Sequence, residues 1–211
     1  MERAAVFAQL AAACRTVEAG GALRPATRAL AQPTGFAPLD AVLPGGGWPV
    51  GAITELMPET QGIGELSLLL PALAQLGRAG RHIAWIAPPC LPYPPALLRH
   101  GIVLERLLLV QTSDARSALW ATEQALRCPA IGAVLAWPMA VNDRQVRRLQ
   151  LAAEAGGSCG LLYRPALALR QHSPAALRVL LRAGAGGLHV EIHKARGGGR
   201  HAVVVHSIAA A

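Results

Sequence analysis

The sequence predicts an α/β fold with a mainly parallel central sheet flanked by helices and extended at its C-terminal end by antiparallel strands. Three observations predict it. From Ala52 to Tyr163 short apolar runs alternate with segments of helical period, as strands do when helical crossovers bury both faces of a sheet. Then Leu177–Arg182, Gly187–His193 and His201–Ser207 follow one another as consecutive strands, the last two a hairpin around Gly197-Gly198-Gly199. Finally, 211 residues at 53% hydrophobic composition suffice for one domain with a buried core.

Taken in order, Val6, Phe7, Leu10, Cys14 and Val17 share one face at helical spacing, so residues 2–18 read as an amphipathic helix that stops at Gly20-Gly21. A linker with Pro25, Pro33 and no periodicity follows. Residues 1–33 are therefore set apart as helix and linker, and residues 34–208 as the core domain. Ala52 to Leu56 is the first core strand, and an apolar helix is expected from Gly64 to Leu76. His82–Ala87 and Leu107–Gln111 are the next strands, with the rigid, proline-rich connection Pro88–Pro95 (PPCLPYPP) between them. Ser113–Arg127 is a helix with Ser113 and Asp114 as cap candidates. Ile131–Ala136 is a buried strand, Asn142 or Asp143 caps a helix running to Ala155, and Cys159–Tyr163 is the next strand.

The most informative stretch runs from Thr34 to Leu70. It holds a Thr-Gly-x-x-x-Leu-Asp segment (Thr34 to Asp40), a Gly-rich turn, the strand Ala52 to Leu56, a second turn and an apolar helix. The second turn has the place of a phosphate loop without its chemistry. A working loop reads G-x-x-x-x-G-K-[ST], in which backbone N–H groups cradle phosphates, the Lys neutralises them and the hydroxyl holds Mg²⁺. Here Met57 stands at the opening glycine, Gly62 keeps the second, Ile63 replaces the lysine and Gly64 the hydroxyl. Loss of the Lys charge alone removes about 4 kcal/mol of attraction to a phosphate at ~4 Å and an effective dielectric of about 20. That corresponds to about a thousandfold in affinity.

In pattern and order the stretch resembles the RecA recombinases. The chain resembles more closely the ImuA family, degenerate RecA relatives that are accessory proteins of error-prone translesion synthesis; the SulA division inhibitors are shorter cousins. The resemblance extends over Thr34 to Ile208 and implies a RecA-like core. It also implies two acidic positions, one orienting the attacking water and one holding the Mg²⁺ shell, which fall on Pro89 and Trp137. Neither side chain accepts a proton or binds a metal. With Ile63 and Gly64, four chemical roles are vacant, so a non-catalytic protein without a nucleotide cofactor is expected.

The partners the resemblance implies are an ImuB-like inactive Y-family polymerase adaptor, the error-prone C-family polymerase subunit, and RecA itself. In RecA a detached N-terminal helix packs on the neighbouring protomer, which makes Val6, Phe7, Leu10 and Val17 a candidate partner-binding face; packing on its own core is the alternative. Lys194 and Arg196 align with paired lysines that reach a neighbour's ATP phosphates across the RecA filament interface. Arg164 and Arg170 flank the segment Pro165–Pro174, which resembles RecA's second DNA loop, and are candidate DNA contacts. Two rival functions stay open: a SulA-like inhibitor that binds the division protein FtsZ, and a diverged RecA- or RadA-type ATPase with an altered loop.

A net charge of +8 and a pI near 10.6 point to an anionic partner, although Lys194 is the sole lysine and Arg-rich composition also follows from a high-GC genome. Arg144, Arg147 and Arg148 line one helix. Weak, strongly salt-dependent binding to single-stranded DNA is the most that is expected. The four cysteines are scattered with no C-x-x-C pair, and His189 and His193, four apart on a strand, stand ~13 Å from each other, so no metal site is indicated. No uncharged run reaches the length of a membrane span. Reduced cysteines and a cytoplasmic location fit best.

Overall fold

A computed structural model describes residues 31–205 apart from Met139, together with Ala8 and Ala12. The expected N-terminal helix, with Val6, Phe7, Leu10 and Val17, lies outside the described residues.

Strands β1 (Ala31–Gln32) and β2 (Trp48–Pro49) form a small antiparallel pair around the short helix α1 (Ala37–Asp40). The main sheet is built from β3 (Ala52–Pro58), β4 (His82–Ile86), β5 (Leu107–Val110), β6 (Ile131–Ala136), β7 (Cys159–Tyr163), β8 (Leu177–Gly184), β9 (Gly187–Ala195) and β10 (His201–Val205). Its order is β5-β4-β6-β7-β3-β8-β9-β10. From β5 to β8 every pairing is parallel, and β8-β9-β10 continue antiparallel. The expected fold class is thus found, and its central strands are buried along their length save Pro58 at the end of β3, as a sheet covered on both faces requires.

Helices α2 (Leu70–Arg78), α3 (Pro94–Arg99), α4 (Ala115–Arg127) and α5 (Asp143–Gly156) connect the parallel strands. Two cores result from the alternation of side chains along each strand. Ile83 and Trp85 of β4 join a cluster with Leu39, Leu69 and Leu73 on the α1 and α2 side. Ala84 and Ile86 join Ala121, Leu126, Val146 and Leu149 on the α4 and α5 side. Helix α5 begins where the sequence says. Asn142 Oδ1 accepts from the Gln145 N–H at 2.9 Å while Gln145 Oε1 accepts from the Asn142 N–H at 2.9 Å, a complete capping box. Asp114 caps α4 by accepting from the Ser117 N–H at 2.8 Å.

Two expectations are corrected. The helix expected from Gly64 starts only at Leu70, because Gly62 (φ 79) and Gly64 (φ 94) take left-handed backbone angles that no right-handed helix contains. Met57, expected to open the loop, is a fully buried residue of β3, which runs two residues further than read. Among the described residues Cys90 and Cys159 are free thiols. Among the described residues no helix is long and apolar enough to cross a membrane.

Candidate functional site

The carboxyl ends of β3, β4, β6 and β7 converge on one edge of the sheet, the place where open α/β sheets bind ligands. The turn after β3 carries the residues that the sequence reading compares with a phosphate loop. Its Gly62 N–H, an amide a working loop would aim at phosphate, donates instead to the side chain of Glu65 at 3.0 Å. Ile63, at the lysine position, is half-buried and packs against the α2-side core. Beside it lies a hollow of about 230 Å³ walled mostly by apolar side chains, among them Phe36, Leu68, Leu188 and Val205. Gly64 is exposed and offers no hydroxyl.

Of the two positions expected to have lost acids, Trp137 lines a larger crevice and Pro89 follows the Pro88 that lines it. Pro89 is exposed, past the end of β4. Trp137 follows β6 directly, and its N–H donates to the Ile86 carbonyl at 3.2 Å. Its ring stacks on Tyr163 with centroids 4.6 Å apart and an interplanar angle of 3°. It also meets Trp85 edge-on at 6.0 Å. Three aromatic rings therefore pack together at this edge of the sheet. Tyr163 is buried beneath them and its hydroxyl donates to the Glu65 carbonyl at 3.4 Å. Burial, and then the Glu65 charge, hold its pKa well above the ordinary tyrosine range, so it stays neutral. The crevice itself measures about 520 Å³ and is bounded by Ala87, Pro88, Gln111, Thr112, Asp114 and Trp137.

Beyond β7 the structure departs from the sequence reading. Arg164, taken as a DNA contact, is buried, and its guanidinium is fully engaged within the protein. It donates to Glu55 Oε1 at 2.5 Å, to the Val141 carbonyl at 3.0 Å and to Gln171 Oε1 at 2.9 Å. Arg178 completes the arrangement. Its Nε donates to Glu55 Oε2 at 2.7 Å and its other nitrogens to the carbonyls of Ala168 at 2.6 Å and Gln171 at 3.0 Å. Glu55, with 0% of its side chain exposed, thus sits between two guanidinium groups. Arg170 remains exposed on the 3-10 turn Ala166–Arg170.

Lys194, exposed on β9, lies across the surface and donates to the Ser173 carbonyl at 2.7 Å. Burial, then the charges of Arg178 and Arg196, lower its pKa, and Glu55 partly opposes them. Arg196 is exposed, its backbone N–H tied to the Ala176 carbonyl at 2.8 Å. Sequence reasoning missed Glu55, Arg178, Glu65 and Tyr163. A signal for the first two was present: a charge inside an otherwise apolar strand has to be paired when the strand is buried. Among the described residues no group of three or more His, Cys, Asp or Glu could hold a metal ion.

The family model for the cell division inhibitor SulA matches residues 51–160. A cell division inhibitor SulA of Edwardsiella piscicida is 38% identical over 101 residues, 47% of this chain and 60% of the relative. Protein ImuA of Caulobacter vibrioides is 30% identical over 129 residues, 59% of this chain and 53% of the relative. The crystal structure of SulA from Pseudomonas aeruginosa is similar at 30% identity and a TM-score of 0.45, covering 53% of this chain and 97% of that one. The chain spans about 60% of the length of the curated SulA relatives it matches first.

Proposed function

The chain belongs to the SulA family, and from that premise we propose that it is a non-catalytic, RecA-like accessory protein of error-prone translesion synthesis, of the ImuA kind. It acts in the response to DNA damage through protein contacts rather than through chemistry of its own. One observation carries the reading. The loop between β3 and α2 keeps the position of a phosphate loop, yet its Gly62 amide is taken by Glu65 and its lysine position by the packed Ile63. The parallel sheet extended by antiparallel strands supports a RecA-like core. The choice of ImuA over division inhibition rests on extent: the ImuA match reaches 59% of this chain against 46–54% for the SulA relatives, and β8 to β10 lie past residue 160, where the SulA family model ends.

The partners on this reading are an ImuB-like inactive polymerase adaptor, the error-prone C-family polymerase subunit and RecA. At the RecA contact Arg196 makes no ion pair among the described residues, whereas Lys194 is held by Ser173. A second reading, a SulA-like inhibitor that binds FtsZ, is favoured by the matched family model itself. The test is affinity capture of the tagged protein from cells with damaged DNA, with partners identified by mass. The polymerase adaptor and C-family subunit are expected; capture of FtsZ without them would replace the first reading by the second. Millimolar Mg-ATP should leave the melting temperature unchanged, because a ligand stabilises only by binding the native state. A rise of several degrees would instead revive the ATPase alternative.

A further inference from the structure

We propose that the rim formed by the turn Ala166–Arg170 and the N-terminal end of α5 is a docking surface for an acidic, apolar-anchored segment of a protein partner. The turn is held with unusual firmness. Arg164 and Arg178 aim their N–H groups at Val141, Ala168 and Gln171, while Glu55 beneath them supplies the counter-charge. Burying three ionised groups costs several kcal/mol per ion before their attraction offsets it. That arrangement fixes the backbone on both sides of Leu167. A surface fixed beforehand loses little entropy when a partner binds it.

What the fixed turn displays is Leu167, 66% exposed. It stands beside a hollow of about 160 Å³ lined by Pro138, Ala140, Val141 and Pro165 as well as Leu167 itself, with the paired Arg164 and Gln171 as its polar wall. One exposed leucine is ordinary on a protein surface, but this one borders a hollow with apolar walls, so a partner's apolar side chain could be buried against both. The charge around it selects the partner. Arg144, Arg147 and Arg170 are exposed and make no ion pair among the described residues. Asp143, the carboxylate at the start of α5, is occupied by His172 Nδ1 at 2.9 Å. A mainly apolar hollow between two elements that carry unpaired arginines, Arg170 on the turn and Arg144 in the first turn of α5, fits a segment that presents a branched apolar residue between carboxylates.

Single-stranded DNA fits less well. Strands without sequence preference bind through aromatic platforms on which bases stack. The turn offers Leu and Pro, the nearby rings of Trp137 and Tyr163 are stacked on each other, and Arg164 is buried. The proposal does not depend on the family reading, since it requires only the geometry of this rim.

The experiment is fluorescence anisotropy of the full chain with three labelled probes: a short peptide with Leu-Leu flanked by Asp and Glu, the same peptide with Ser-Ser, and an oligo-thymidine strand. The Leu peptide is expected to bind. Leu167→Ser should weaken it about tenfold, as should Arg144→Glu with Arg170→Glu, and the Ser peptide should be about tenfold weaker on the wild type. All these substitutions are on exposed residues, and unchanged melting temperatures check that the fold is intact. The idea is overturned if the Leu peptide does not bind, or if Leu167→Ser leaves its affinity unchanged. Tighter binding of oligo-thymidine, lost in the arginine variant, would overturn it in favour of a nucleic-acid surface.

Discussion

Glu55→Gln tests what holds the turn after β7. Gln is nearly the same size, so the substitution removes a charge without opening a cavity. In the wild type the Glu55 carboxylate accepts from Arg164 at 2.5 Å and from Arg178 at 2.7 Å with no exposure to water. Two charge-assisted hydrogen bonds at about 1.5–3 kcal/mol each give roughly 3–6 kcal/mol. Breaking a buried pair by removing one partner costs about 3–5 kcal/mol by a separate route. Agreement between the two sets the expected loss near 4 kcal/mol, a large part of the roughly 5–15 kcal/mol that stabilises a domain. For a chain of this size that lowers the melting temperature by roughly 8–16 °C. Urea unfolding measures the loss, and trypsin reports the place, because cleavage after the exposed Arg170 should accelerate once the guanidinium groups lose their anchor. Replacing the whole triad by Glu55→Met, Arg164→Leu and Arg178→Met should recover much of the stability, since apolar packing offsets buried ions. A loss below about 1 kcal/mol, with cleavage at Arg170 unchanged, would show that the carbonyl contacts alone hold the turn.

Two further outcomes follow from local geometry. Asn142→Ala removes one half of the capping box of α5 and should cost about 1 kcal/mol in urea unfolding; an unchanged midpoint would mean that tertiary contacts alone set the helix start. His82 is buried at the start of β4, and Arg106 Nη1 donates to its Nε2 at 3.1 Å. Burial and the Arg106 charge lower its folded pKa below the ordinary value near 6.5. As pH falls through about 6.5, the unfolded chain takes up a proton that the folded protein does not. Stability should therefore decline from that point down to the folded pKa, and His82→Gln should flatten the decline. Parallel curves for variant and wild type would assign the acid sensitivity to other groups.

The fold was legible wherever local signals agreed with burial. Ile131–Ala136 and Cys159–Tyr163 are continuous apolar runs between breakers, and the structure places β6 and β7 on the same residues. Asn142 announced α5 through its own side chain. The start of α2 was not legible, because the leucine run Leu66 to Leu70 looks helical from its first residue while the backbone sign of Gly62 and Gly64 is invisible in sequence. The site was less legible for a different reason. Arg164 reads as a free cation until its partner is found 109 residues away, and Arg178 lies 123 residues from the same carboxylate. Composition counts charges but does not pair them.

On the proposed reading, the same distinction bears on whether nucleotide chemistry would be merely lacking or replaced. At the phosphate-loop position Glu65 occupies the Gly62 amide with a carboxylate, so a bound anion would face both a taken donor and a like charge. At the expected metal position Trp137 stacks on Tyr163, whose hydroxyl in turn holds the Glu65 carbonyl. These groups form one packed unit linking the loop to β6 and β7. Restoring lysine alone therefore should not restore binding. In Ile63→Lys with Gly64→Ser the new ammonium would meet the Glu65 carboxylate nearby rather than a phosphate, and the amide would remain occupied. The expected result is no rise in melting temperature with Mg-ATP for that variant. A rise is expected only after Glu65→Ala is added to free the amide, and then a small one, because Pro89 and Trp137 still supply no ligand for the metal. Stabilisation by nucleotide in Ile63→Lys with Gly64→Ser alone would refute this, and would mean that the loop needs only its charge to bind phosphate.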